Sequence, residues 1–105
     1  MVRGLVLLPL LFTTLAVTAA DAARGAALYR SKTCVSCHAA DGSGSTPAGK
    51  SLKARDLRSD DVQSQTDDAL ATIIAGGRNK MPSFRKMLSE SDVADLVAHI
   101  RSLKK

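Results

Sequence analysis

Cys34-Val35-Ser36-Cys37-His38 is the stretch on which the reading of this chain turns. Both cysteines of the 105-residue sequence lie in it, and one of only two histidines follows the second cysteine directly. The spacing is C-x-x-C-H, that of covalent c-type haem attachment. Each thiol adds to one vinyl group of the porphyrin, and two intervening residues set the sulfurs the right distance apart. His38 then lies beneath the iron as the proximal ligand. Other chemistries share parts of the pattern. Two lone cysteines in an oxidising compartment can form a disulfide, and C-x-x-C is also the thioredoxin redox motif, but that motif belongs to a βαβ context of which this sequence has no sign. Zinc needs four ligands, and Cys34, Cys37, His38 and His99 make an untidy set.

The rest of the composition agrees with a cofactor at the centre. The chain has one Tyr, two Phe and no Trp. Residues 4–17 are almost entirely apolar around Pro9, follow a positively charged start at Arg3, and lead to the small residues Thr18, Ala19 and Ala20. That is the order of a secretory signal peptide, read as residues 1–20, with cleavage after Ala20 or after Ala22 fitting equally well. Phe12 would leave with it, so Tyr29 and Phe84 are the only aromatics expected in the remaining domain, residues 21–105. Aromatics normally supply much of the bulk of a small core, and a buried cofactor would replace them. Loss of Arg3 leaves fourteen basic residues against ten acidic ones, a net charge of +4. That mild excess, without an aromatic stacking platform and behind an export signal, is a poor match to nucleic-acid binding.

The remaining elements read as helices and loops. Residues 21–33 present Gly25 and Tyr29 at i, i+4 spacing, compatible with a short helix showing both on one face. Residues 41–49 are turn-formers without an apolar period and read as loop. Thr66 is an N-cap, with Asp67 and Asp68 placed well against the helix dipole, and Leu70, Ile73 and Ile74 follow on one side until Gly76-Gly77 ends the helix. Ser89 and Asp92 form a capping box, and Val93, Leu96, Val97, Ile100 and Leu103 recur at helical spacing behind it. No segment alternates like a strand.

If the haem serves electron transfer, its sixth iron position must also be filled, because a saturated iron exchanges an electron with little ligand rearrangement and leaves no site for substrate. Met81 is the candidate: it follows Gly76-Gly77-Arg78-Asn79-Lys80 and precedes Pro82, in a loop whose φ is fixed just after it. Met87 reads more easily as apolar filling. His99 is the other candidate ligand, but it lies mid-helix beside the apolar stripe, where a packed histidine is the safer reading. No paired carboxylates and no nucleophile with a base are visible, so no enzyme is expected. Arg78, Lys80, Arg85 and Lys86 surround Met81 with no acidic residue among them, and Lys32 precedes the haem motif. Such a cluster predicts electrostatic docking on an acidic face of a partner.

The order of Gly25-x-x-x-Tyr29, the motif at 34–38, the Gly-Gly loop with Lys80-Met81-Pro82-Ser83-Phe84, and Leu96-Val97-Ala98-His99-Ile100 resembles the class I cytochromes c, particularly the short bacterial and photosynthetic monohaem kind. The resemblance covers nearly all of the chain after the leader. It implies an all-α small cytochrome c fold, three to five helices wrapped around one covalently attached haem c. The N- and C-terminal helices should cross at close range over a glycine and an aromatic pair, although His99 stands where the family usually has Tyr or Phe. A proline carbonyl in the loop after the haem motif should accept the Nδ1 proton of His38, and Pro47 is the only proline there. The implied function is a soluble monomeric carrier that shuttles one electron at a time between larger redox proteins, in the periplasm or a thylakoid lumen. Two rivals stand beside it, a haem peroxidase-like or gas-binding protein whose sixth position opens, and a cytochrome subunit held permanently in a larger periplasmic oxidoreductase.

Overall fold

The computed structural model describes residues 3–11 and 19–105. The expected leader therefore lies partly outside the described residues; its described stretch, residues 3–11, is exposed and not helical.

Caps decide where the chain turns helical. The Asp21 side chain accepts hydrogen bonds from the backbone N–H groups of Ala23 and Arg24, opening α1, Ala22–Ser31. The haem motif itself forms α2, Cys34–His38, entered through Thr33 at φ 70°. Thr46 caps α3, Pro47–Leu52, by accepting from the Gly49 N–H. Residues 47–49 are thus helical, not the continuous loop that 41–49 suggested. Proline suits the first helical position because its missing N–H has no partner there anyway, and Thr46 supplies the cap just before it. Ser59 caps α4, Asp60–Gln63, and Thr66 caps α5, Asp67–Gly76. The box of Ser89 and Asp92 is formed on both sides at the head of α6, Glu90–Ser102. Among the described residues six helical segments result when the short pieces α2, α3 and α4 are counted beside the three long helices. No β-strand occurs among the described residues.

The crossing of α1 and α6 is the backbone of the fold. Gly25 makes it: a Cβ there would stand 1.9 Å from the Asp95 carbonyl oxygen, so only hydrogen lets the two helices approach so closely. Charges staple the same place. Arg24 reaches Asp92 and Asp95 at 2.7 Å each, and the backbone N–H of Asp21 donates to Asp95 Oδ1 at 2.8 Å. Arg24 is half-exposed, so solvent screens these ion pairs and they add little by themselves, but the contacts satisfy the carboxylate of Asp95, a residue the fold buries. One turn on, the His99 imidazole stacks on the Tyr29 ring, centroids 4.9 Å apart and tilted by 60°. The imidazole thus takes the place of the expected second aromatic ring.

Behind the crossing, Val93, Leu96, Val97 and Ile100 of α6 join Tyr29, Leu57, Val62, Leu70, Ile74, Phe84 and Leu88 in one core. Each large aliphatic side chain so buried contributes about 1.5–3 kcal/mol. This core is one-sided: α2 and α3 face it across an open cavity. Among the described residues no helix is long and apolar enough to cross a membrane.

Candidate functional site

A cavity of about 260 Å³ separates α2 from α5 and the chain that follows it. Cys34, Cys37 and His38 line it on one side, and Met81 lines it with Leu70, Ile73, Ile74, Phe84, Leu96 and Ile100. Because α2 is helical, residues three and four apart fall on one face, which is how all three motif side chains reach the same space. The structure brings together Cys34, Cys37, His38 and Met81, the four residues singled out in the sequence. His99 does not line this cavity, and Met87 is 55 % exposed on the outer surface. Met87 is therefore not apolar filling: the core position after the Met81 loop is taken by Leu88, and the preceding residue points outward.

Local backbone explains how Met81 is presented. Arg78 and Met81 exchange both backbone hydrogen bonds, at 3.1 and 2.9 Å, closing a tight turn with Asn79 at φ 53°. Asn tolerates that left-handed conformation better than most residues. The turn hangs from the end of α5, where Gly77 at φ 76° redirects the chain. Its flank is held by the Ser83 hydroxyl, which donates to the Ala75 carbonyl at 2.6 Å.

The His38 ring is oriented by a backbone carbonyl at the cavity wall. Its Nδ1 lies 3.0 Å from the Arg55 carbonyl oxygen, not from that of Pro47. Pro47 opens α3, so its carbonyl points along that helix, where the backbone ladder uses it. With Nδ1 engaged, Nε2 is the ring atom left to coordinate. Burial lowers the pKa of His38, with the Arg55 carbonyl opposing that shift, so the ring stays neutral and able to ligate. Nothing in the residue type at 55 announces this contact, since any residue offers a carbonyl.

The donor chemistry suits haem c and little else. Two thiols on one helix face, an imidazole fixed at its far nitrogen and a thioether across an apolar gap are the groups that attach and ligate a porphyrin iron. A dithiol redox centre needs a depressed cysteine pKa, whereas burial raises that of Cys34. Zinc is disfavoured as well: among the described residues no three His, Cys, Asp or Glu side chains gather to hold a metal ion.

Comparison with known proteins agrees. Residues 20–100 match the family described as cytochrome C oxidase, cbb3-type, subunit III. The chain is 34 % identical over 87 residues to cytochrome c6 of Picosynechococcus sp., covering 78 % of this chain and 73 % of that protein. It is 33 % identical over 97 residues to cytochrome c6 of Nostoc sp., covering 92 % and 83 %. Among solved structures, the c-type cytochrome KustC0563 superposes with a TM-score of 0.70 at 31 % identity, over 77 % of this chain and 98 % of that one. Cytochrome c6 of the diatom Phaeodactylum tricornutum superposes with a TM-score of 0.58 at 26 % identity, over 78 % and 92 %.

Proposed function

The chain belongs to the class I cytochromes c, with one covalently bound haem c, and we propose that it is a soluble one-electron carrier in which His38 and Met81 are the axial ligands. The observation that supports this most is the convergence of Cys34, Cys37, His38 and Met81 on one apolar cavity. Haem bound there supplies an iron that gains or loses one electron. The chain's own residues do the rest. Cys34 and Cys37 fix the porphyrin by thioether bonds, Arg55 holds the His38 ring, and the Met81 thioether closes the sixth position. Leu70, Ile73, Ile74 and Phe84 keep water from the iron. Thioether ligation and burial both favour the ferrous state, so the potential should be positive.

The partners in this reading are larger redox proteins with an acidic docking face. Arg78, Lys80, Arg85 and Lys86 are all exposed around Met81. Among the described residues the ion pairs use Arg24, Arg55, Arg58 and Arg101, leaving these four cations without an acidic partner. Their field raises the encounter rate and is screened by salt over about 8–10 Å. In the same reading residues 1–20 are a leader, and the protein works as a monomer in the periplasm or, in a photosynthetic cell, the thylakoid lumen.

Carbon monoxide added to the reduced holoprotein tests the carrier against the haem-enzyme alternative. A carrier keeps its ferrous spectrum unchanged, and a rapid shift to a carbonyl spectrum would reject the proposal. The family description also favours a second reading, a cytochrome subunit of a membrane oxidase. Retention in the membrane fraction, with co-migration in a large complex after mild detergent extraction, would support that subunit, whereas elution from the soluble fraction at the size of the free chain supports the carrier.

A further inference from the structure

The residue after the proximal ligand is in an unusual conformation, and one hydroxyl holds it there. Ala39 has φ 65° and ψ 164°, a region that residues with a Cβ seldom occupy. Its N–H closes α2 on the Val35 carbonyl at 3.0 Å, so the chain must turn sharply as it leaves His38. The turn sends the Ala39 carbonyl inward, where the Tyr29 hydroxyl donates to it at 2.5 Å. Gly42 N–H donates to the same oxygen at a longer 3.2 Å. Tyr29 is 2 % exposed, and its ring is fixed by the His99 imidazole of α6. The helix crossing is thereby wired to the haem motif through a single side-chain hydrogen bond.

We infer that the Tyr29 hydroxyl is a positioning group for the proximal ligand: by binding the Ala39 carbonyl it holds the backbone beside His38 in a conformation it would otherwise leave, and so sets the pose of the imidazole in the cavity. The Arg55 carbonyl fixes the ring at Nδ1, and Tyr29 fixes the chain from which the ring projects. A phenylalanine at 29 would keep the ring, its burial and its stacking while removing only this restraint. The inference rests on His38 being the proximal ligand; if that assignment fails, the wild-type holoprotein itself will show no hyperfine-shifted His38 ring resonances.

The experiment is Tyr29→Phe, Ala39→Gly and the double variant as holoproteins, each followed by proton NMR of the His38 ring, midpoint potential and thermal melting. Tyr29→Phe should displace the His38 resonances and shift the potential. Ala39→Gly should melt higher than wild type with the resonances in place, because glycine adopts φ 65° without strain. In the double variant glycine holds the turn unaided, and the resonances and potential should return toward wild type. Should Tyr29→Phe fail to accumulate, the Ala39→Gly melt still decides whether the turn is strained. A Tyr29→Phe protein that melts lower but keeps the wild-type resonances and potential would overturn the inference, as would an Ala39→Gly protein that melts lower than wild type.

Discussion

Gly25→Ala pits two effects of opposite sign against each other. On helix propensity alone, alanine inside α1 should stabilise by about 1 kcal/mol. Packing says otherwise. The new Cβ would lie 1.9 Å from the Asp95 carbonyl oxygen and 2.5 Å from its carbon, where ordinary contact begins at 3.4 Å. The obstructing atoms are helix backbone, which cannot rotate aside, so α6 must retreat by about 1.5 Å, the shortfall between those distances. Such a retreat breaks the 2.8 Å bond from Asp21 N–H to Asp95 and loosens the stack of His99 on Tyr29. Overpacking of a fitted contact costs about 1–3 kcal/mol, occasionally more, and a backbone clash belongs at the upper end. A net loss of about 2 kcal/mol remains after the propensity gain. For a domain of this size that lowers the melting temperature by about 8–16 °C. Thermal melts of wild-type and Gly25→Ala holoprotein, followed by far-ultraviolet dichroism, measure it. A variant that melts at or above the wild-type temperature would refute the account of the crossing.

Two other outcomes are expected. Burial and the nearby Arg30 charge lower the pKa of His99, so the unfolded chain binds that proton more tightly; stability should be full above the ordinary value near 6.5 and decline as pH falls toward the lowered folded value. Asp56, held down to about 2 chiefly by Arg58, titrates below this window, whereas His38, also lowered by burial, shares it, so denaturant titrations of wild type between pH 7.5 and 5.5 should show a slope that His99→Phe reduces, and equal slopes would contradict it. Processing after Ala20 should be preferred to processing after Ala22, because the latter removes the α1 cap and the N–H that satisfies Asp95; the intact mass of the exported protein decides, a first residue of Ala23 being the contrary result.

Much of this was legible in the residues, for physical reasons that differ by element. The α6 capping box and the Thr66 cap are local and carry their own signatures, so α5 and α6 begin where the sequence placed them. Gly25 and Tyr29 share the buried face of α1, as their spacing implied. The pieces that escaped notice are too short to hold a period: α4 is four residues behind Ser59, and α3 hides in a Gly- and Ser-rich stretch. Gly49 within α3 is tolerated because a Cβ there would strike the Cys37 carbonyl oxygen at 2.1 Å, a contact no sequence period reveals. In the site, the cysteines and the histidine that line the cavity stood out because their chemistry is scarce, two cysteines and two histidines in the whole chain. What orients them was not: the Arg55 carbonyl and the Ala39 turn are backbone features. Met87 reversed its expected role because a lone methionine looks alike whether it fills a core or faces water.

The central claim is that Met81 closes the cavity opposite His38, and the sulfur-to-iron charge-transfer band of the ferric holoprotein tests it most directly. Wild type should show the band, Met81→Ala should lose it and fall in potential, and Met87→Ala, altered only at an exposed side chain, should keep it. A band that survives Met81→Ala, or disappears with Met87→Ala, would contradict the account.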